Sequence, residues 1–503
     1  MPLTETRRVP MPGVALEATY AAALPELVER WEPAGAASPG LVVANDALAQ
    51  ELGIDPAVLR SDDGVAVLAA GAVPDGATPV ALGYSGHQFG NLSPRLGDGR
   101  ALLLGEVVTP DGDRVDLHLK GSGRTPFARG GDGRATLTSM LRELLWSEAM
   151  HALGVPTTRS LAVATTGETV HRQEGPEPGA VLTRVASSHI RVGTFQYAVL
   201  LDEPGLVDRL VDHTLQRHHP HLLEHAPGAS RARALLAAVV ESQAALVARW
   251  MQLGFIHGVL NTDNTSVAGE TIDYGPCAFL DAYDPTTVYS SIDHNGRYAF
   301  GNQPRIIHWN LARLAESLLD VLGDDLEAAA AVATEVLATF PDRYRDHWLA
   351  GLRDKLGFAE ERDGDDRLVT QLLDWLHATH SDWTGAFRAL AADVRGDEQR
   401  LDGLAVTEPA RSWVADWRDR VTSEGRSPDE VADAMDAVNP VYVPRNHLVE
   451  EALSAAREQG DLTPFHDLAA VLADPYRERP GLDRYAGPAP AEFSAAYRTY
   501  CGT

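Results

Sequence analysis

The stretch from Leu96 to Gly154 limits what this chain can fold into more than any other. It opens on Leu96-Gly97-Asp98-Gly99-Arg100, where glycines let backbone N–H groups approach a phosphate and the arginine adds a rigid guanidinium fork. Leu102 to Val108 reads as a strand, Pro110-Asp111-Gly112 as a turn and Val115 to Lys120 as the returning strand. On that second strand Val115, Leu117 and Leu119 share one face, while Asp116, His118 and Lys120 share the other. A second glycine loop follows, Gly130-Gly131-Asp132-Gly133-Arg134. Leu141, Leu144, Leu145, Ala149, Ala152 and Leu153 then recur at helical spacing, with Ser139 expected as N-cap and Gly154 as the stop. Either glycine loop alone reads as a plain turn. Flanking a hairpin that ends in Lys120, the two together suit a polyphosphate. Lys120 is then either a solvated lysine or a phosphate-binding one held by a carboxylate on the next helix. Glu143 is placed to be that carboxylate, and spacing alone does not exclude Glu148.

The remaining chain is organised around this stretch. With 503 residues it exceeds what one core needs, so two or three packed units are expected. Residues 1–190 are rich in Gly, Pro and short β-like runs. Residues 191–345 alternate long helical patterns with one compact loop-and-hairpin segment. Residues 346–503 are mostly helical, with amphipathic runs such as Trp375 to Leu390. A net charge of -28 repels phosphate backbones and anionic membranes, which argues against both as partners. Two cysteines, Cys277 and Cys501, exclude a disulfide framework or a thiolate zinc site and suit a reducing cytosol. Met1 to Arg8 has arginines without an apolar segment behind them, and no uninterrupted apolar run approaches the roughly 20 residues of a membrane span. A cytoplasmic location is expected.

The chemistry concentrates after Gly254, where a helix from about Arg233 to Leu253 ends. The segment runs Phe-Ile-His257-Gly258-Val259-Leu-Asn261-Thr-Asp263-Asn264, and a hairpin through Ala268-Gly269-Glu270 is expected to lead to Asp273-Tyr274-Gly275-Pro276. Kinase-like phosphotransferases use His-x-Asp, an Asn five residues after that Asp, and a later Asp-x-Gly, the Asn and the later Asp binding magnesium. His257 and Asn264 keep that spacing, Asp273-Tyr274-Gly275 stands where Asp-Phe-Gly would, and Val259 replaces the catalytic aspartate. Valine accepts no proton, so γ-phosphoryl transfer on this template is crippled, yet both metal ligands remain. Asp263 is the replacement base, presented from another place in the loop. Upstream, Leu182-Thr183-Arg184-Val185 reads as a strand and Arg191 follows; both arginines suit structural ion pairs or an anionic ligand, the former being the commoner use.

These motifs resemble the selenoprotein O family, also called YdiU. The resemblance rests on Tyr84-Ser85-Gly86-His87-Gln88-Phe89-Gly90, Leu96-Gly97-Asp98-Gly99-Arg100, Leu119-Lys120-Gly121-Ser122-Gly123, Gly131-Asp132-Gly133-Arg134 and Ser147-Glu148-Ala149-Met150-His151-Ala152-Leu153-Gly154. His257-Gly258-Val259 through Asp273-Tyr274-Gly275-Pro276, Asp293-His294, Gly296-Arg297-Tyr298, Asn302-Gln303-Pro304, Asn439-Pro440 and Arg445-Asn446 extend it over nearly the whole chain. It implies an α/β (α+β) fold with a protein-kinase-like bilobal architecture: a β-rich N-lobe (1–190), a helical C-lobe with the catalytic loop and metal site (191–345) and a helical C-terminal extension (346–503). It also implies a protein adenylyltransferase that binds ATP in reversed orientation, moves AMP to Ser, Thr or Tyr hydroxyls of proteins and releases pyrophosphate. Gly97, Gly99, Arg100, Lys120, Asp132, Gly133, Arg184, Arg191 and Asp273 are then nucleotide contacts. Asp263 becomes the proton acceptor, Asn264 and Asp273 the ligands of Mg²⁺ or Mn²⁺, and Glu143 the partner of Lys120. Protein substrates are the expected partners of a monomer. Family members often carry a cysteine or selenocysteine near the C-terminus, some pairing it with a cysteine near the active-site loop; here Cys501 is followed by Gly-Thr, and Val288 to Asp293 holds no cysteine. A kinase transferring the γ-phosphate and an inactive nucleotide-binding scaffold are the competing functions.

Overall fold

The computed structural model of the chain describes residues 6–172, 175–397, 399–402, 404 and 407–500. The fold is mixed α/β. Its strand-rich first part forms an eight-stranded antiparallel sheet in the order Val28–Arg30, Val80–Leu82, Ala101–Val108, Arg114–Lys120, Gly175–Ala186, Arg159–Arg172 and Gly40–Ala44, with Ala135–Thr136 paired beside Gly175–Ala186. The expected hairpin is present, and pleating sorts its side chains. Leu117 and Leu119 join Leu104, Val107, Val181 and Val185 in an apolar layer. The short helices Asp46–Glu51, Pro56–Arg60 and Asp62–Leu68 add Leu48, Leu59 and Leu68 to it. The other face carries Asp116, His118 and Lys120, with Arg184 of the neighbouring strand in register with His118. All are buried, Lys120 at 9% and His118 at 1% exposure. Charged groups taken out of water need compensating partners, and the next helix brings one.

That helix spans Leu137–Ala152. Its N-cap is Thr136 rather than Ser139: the Ser139 N–H donates to Thr136 Oγ1 at 3.3 Å, so Ser139 lies inside the first turn. Gly154 ends it in the left-handed conformation at φ 72°, as expected. The helix Ala229–Leu253 is the one described helix long and apolar enough to cross a membrane. Its Val239, Leu246, Val247 and Trp250 are packed in the largest core, and it lies against the helix Phe340–Lys355.

After Gly254, Phe255–Ile256 pairs with Ala278–Phe279, so His257 to Cys277 forms one long excursion between two short strands. The hairpin expected through Ala268-Gly269-Glu270 does not form. Ser266 bridges to Arg191 and Thr271 to Thr157, so each arm satisfies its backbone on a different neighbour. Trp375 to Leu390 is likewise two helices, Asp365–Thr379 and Trp383–Val394, interrupted at left-handed His380 and restarted by the Asp382 cap. Trp383, Trp413 and Trp417 fill a second core with Phe387 and Met435. The chain end returns to this body: the Thr499 N–H donates to Tyr289 O at 2.8 Å and Ser291 N–H to Thr499 O at 2.9 Å. Cys501 lies outside the described residues.

Arg445 fastens the helical C-terminal part to the middle of the chain. Fully buried, it donates to Asp281 Oδ1 at 2.9 Å and to both Asp382 oxygens at 2.7 and 2.8 Å. Truncation leaves two carboxylates in a dry site without their cation. Arg445→Ala is therefore expected to lower unfolding free energy by about 3 kcal/mol or more, read from the urea midpoint.

Candidate active site

Gly97, Gly99, Arg100, Lys120, Asp132, Gly133, Glu143, Arg184, Arg191, Asp263, Asn264 and Asp273 all line one cleft of about 1080 Å³. At its centre the Lys120 ammonium donates to Glu143 Oε2 at 2.6 Å and to Asp273 Oδ1 at 2.7 Å. Arg184 Nη2 donates to Glu143 Oε1 at 2.6 Å and to Asp273 Oδ1 at 2.5 Å. Arg191 Nη1 stands 3.4 Å from Asp273 Oδ2. Strand pleating aims Lys120 and Arg184 from the sheet, and the Leu137–Ala152 helix brings Glu143 across to them. Glu148, the alternative carboxylate, faces away and pairs with Arg159 and Asn45. Both arginines are thus in ion pairs and in the cleft at once.

The charges of this cluster do not cancel. Lys120, Arg184 and Arg191 give +3 against −2 from Glu143 and Asp273, leaving +1 for an anionic ligand. Burial works against the Asp273 carboxylate, but Arg184, Lys120 and Arg191 hold it well below its ordinary pKa. Glu143 is also lowered, burial again being outweighed by Arg184 and Lys120. Asp273 has φ 66°, a left-handed backbone that few residues other than glycine adopt, and the three cations fix its carboxylate in that pose. His257 orients the preceding residue, its Nε2–H donating to Ile272 O at 2.8 Å.

Asp263 has the opposite character. Its Oδ1 is buried without a hydrogen-bond partner, and burial pushes its pKa up to about 6. Arg191 donates to its main-chain oxygen at 3.1 Å, leaving the carboxylate facing the cleft. Gly86 makes room for it: a Cβ there would lie 2.2 Å from Asp263 Oδ1 and 2.3 Å from Leu96 Cδ1. Asn264 follows in the Thr262–Asn264 turn, its amide N–H donating to Val259 O at 3.0 Å. Val259 itself presents only an apolar side chain to the cleft.

The two glycine loops form the opposing wall. Gly97 is left-handed at φ 63°, and a Cβ would sit 2.3 Å from the Phe127 ring. Asp132 is held at the mouth by Arg172, at 2.7 and 3.0 Å. Among the described residues no three His, Cys, Asp or Glu side chains converge as a closed metal site. Asn264 and Asp273 contribute oxygen donors only, which fits a hard divalent cation that completes its shell from phosphate and water.

Three features escape the sequence reading. Asp98 turns its carboxylate inward, accepting from His118 Nε2–H at 2.9 Å. Arg142, one residue before Glu143, donates to Gly275 O at 3.0 Å and Cys277 O at 2.7 Å, so one helix grips both Lys120 and the chain beyond Asp273. Residues 496–500 line the cleft after passing through the whole helical C-terminal part. Asp98 lies in a motif already singled out, and adjacency to Glu143 points to Arg142. Nothing in the local pattern announces the tail. Cys277 is buried and its thiol is pushed up to about 12.

A family model described as protein adenylyltransferase SelO matches residues 14–473. The chain is similar to a "Protein nucleotidyltransferase YdiU" of Rhodococcus jostii, 54% identical over 490 residues that cover 97% of this chain and 94% of the relative. A protein of the same name from Mycobacterium sp. strain KMS is 54% identical over 496 residues, 98% of this chain and 100% of the relative. Another from Chromobacterium violaceum is 54% identical over 484 residues, 95% and 100%.

Glu143→Ala leaves Arg184 and Lys120 in the interior with one carboxylate between them, and is expected to cost about 3 to 5 kcal/mol of stability at neutral pH. Because the folded-state Glu143 pKa is lowered, its contribution is full above the ordinary glutamate value of about 4.3 and fades as pH falls below it. Guanidinium unfolding at neutral pH and near pH 3 checks both the size and the sign.

Proposed function

The chain belongs to the protein adenylyltransferase SelO family, and on that premise we propose that its cleft clasps ATP with the α-phosphate turned towards Asp263. The chain is an enzyme, a protein nucleotidyltransferase that takes AMP from ATP and passes it to protein. The proposal concerns how this cleft does so. Its acceptors are Ser, Thr or Tyr hydroxyls, its metal is Mg²⁺ or Mn²⁺, and it works as a cytoplasmic monomer with neither nucleic acid nor membrane as partner.

A kinase-like bilobal architecture is part of the same reading. A sheet confined to strands between residues 28 and 186 supports an N-lobe at 1–190, and the excursion carrying Asp263 and Asp273 supports a C-lobe at 191–345. The helices after residue 346 then form the extension.

The observation that carries the proposal is the contrast between two aspartates in one cleft: Asp273 is clamped by three cations, whereas Asp263 is buried, its Oδ1 has no hydrogen-bond partner, and its pKa is raised. An aspartate whose pKa is raised towards neutrality is a better base than an ordinary one. Asp263 takes the proton of the acceptor hydroxyl, the oxygen attacks the α-phosphorus, the bond to the bridging oxygen breaks, and pyrophosphate leaves. Lys120, Arg184 and Arg191 carry the surplus positive charge that neutralises the phosphates, and Gly97, Gly99 and Arg100 with Asp132 and Gly133 close over them from the glycine loops. Asn264 and Asp273 are the residues to hold the divalent cation, which when bound screens the phosphate oxygens. Val259 offers no base where a kinase would need one, so the γ-phosphate has no acceptor activated for it.

Incubation with α-labelled and γ-labelled ATP distinguishes the outcomes. The α label is expected on protein and the γ label only in released pyrophosphate. Asp263→Asn is expected to reduce α-label incorporation by about a hundredfold or more. Because ionising a carboxylate of raised pKa destabilises the folded state, Asp263→Asn leaves the unfolding midpoint unchanged or higher above pH 6. Label from γ-labelled ATP on protein would instead make the chain a kinase.

The pH profile follows from the same group. Below about 6 Asp263 is protonated and no longer basic enough to take the hydroxyl proton. kcat/KM for AMP transfer is expected to fall about tenfold per pH unit below that value and to level off above it. A flat profile between pH 5 and 7 would remove Asp263 from the role.

A further inference from the structure

An acidic residue between two phosphate-facing glycines poses a charge problem, because Asp98 sits where a triphosphate would be repelled. The structure resolves it by turning the carboxylate away from the cleft. Asp98 is 3% exposed, its Oδ2 accepts from the Leu82 N–H at 3.2 Å and from His118 Nε2–H at 2.9 Å, and its carbonyl accepts from Thr125 Oγ1 at 2.5 Å. Its own N–H donates to Leu82 O at 2.8 Å. The middle of the first glycine loop is thereby pinned at its amide, its carbonyl and its side chain.

His118 is the unusual member of this set. It stands two residues before Lys120 on the same strand face, is buried, and lines the cleft. Its Nδ1 has no protein partner. The ring stacks on His189 at 4.2 Å between centroids. His189 Nδ1–H donates to Asp116 Oδ2 at 3.0 Å, and Asp116 accepts from Arg217 at 2.6 Å. A polar layer therefore runs beneath the nucleotide strand, backed by the helix Leu206–His218 that carries Arg217. A core built only for stability would have no need of stacked imidazoles between two aspartates, since apolar residues of like volume fill such space without a desolvation penalty.

We propose that His118 is a positioning residue for ATP: its Nε2–H holds the Asp98 carboxylate inward and so fixes the Gly97-Asp98-Gly99 backbone in its phosphate-receiving shape. The inference rests on the reading of the cleft as an ATP site. Loss of the hydrogen bond frees Asp98 to swing towards the phosphates, which weakens the ground-state complex and the transition state alike. The effect belongs in the KM for ATP rather than in kcat.

Glutamine and asparagine separate this role from a packing role. A Gln side-chain amide reaches the place of Nε2, whereas an Asn amide reaches only that of Nδ1. Calorimetric titration with Mg-ATP, together with thermal unfolding, is performed on the full chain and on His118→Gln, His118→Asn and His118→Leu. His118→Leu and His118→Asn are expected to bind ATP about tenfold or more weakly, the loss of one charge-assisted hydrogen bond, and His118→Gln within about twofold of the parent. kcat at saturating ATP is expected to change less than about twofold in His118→Gln and His118→Asn. Should His118→Leu fail to unfold cooperatively, the Gln–Asn pair still decides. Equal affinity in all folded variants, or equal loss in Gln and Asn, overturns the inference. Failure of the parent chain itself to bind ATP would instead sink the reading of the cleft.

Discussion

Everything in the cleft is arranged around one buried charge imbalance, in which Lys120, Arg184 and Arg191 outnumber Glu143 and Asp273. Such a cluster is costly to assemble in a dry interior, and apolar residues would fill the same space more cheaply. Its members come from the sheet, the Leu137–Ala152 helix, the cap of the Val192–Leu201 helix and the excursion after Gly254, so each must fold correctly before any charge is matched. The ion pairs join the sheet to the loop that carries Asp263 and Asp273. They also leave a positive residue for a ligand that brings its own negative charge.

The division of labour between the two aspartates follows from the same geometry. Asp273 lies among cations and is held ionised, a state suited to a metal ligand or a phosphate neighbour. Asp263, ten residues earlier, receives Arg191 at its main-chain oxygen rather than at its carboxylate, and burial outweighs the nearby positive charge to raise it. Gly86 leaves room for its Oδ1, which a side chain there would displace. We read the valine at the usual position of a kinase base and the aspartate four residues on as a base moved along the loop. A moved base meets a different phosphorus if the nucleotide is held in the same cleft.

Much of this was legible in the sequence, for physical reasons that differ by residue. The period of two along Val115 to Lys120 placed Lys120 opposite the apolar face whatever the surrounding fold, and the helical spacing from Leu141 to Leu153 marked the helix that carries Glu143. Choosing Glu143 over Glu148 needed three dimensions: five residues apart, the two face different sides of the helix, and its packing against the sheet decides which side meets Lys120. The cap shifted from Ser139 to Thr136 because two neighbouring hydroxyl residues compete and the strand pairing of Ala135–Thr136 fixes where the helix begins. The expected hairpin at Ala268 failed because its arms found partners at Arg191 and Thr157, distant in sequence and invisible to local pattern. For the same reason the return of residues 496–500 to the cleft could not be read: contacts across more than 200 residues leave no periodicity.

We propose that one ATP is held between the glycine loops and the Asp263–Asp273 segment with its α-phosphate at the base. A crystal structure with Mg²⁺ and an ATP analogue carrying a methylene bridge between the α- and β-phosphorus atoms tests it most directly. The triphosphate is expected between Lys120 and Asp273, metal on Asn264 and Asp273, and the α-phosphorus as the phosphorus nearest Asp263. A γ-phosphate nearest Asp263, or a nucleotide bound away from Lys120, would contradict it.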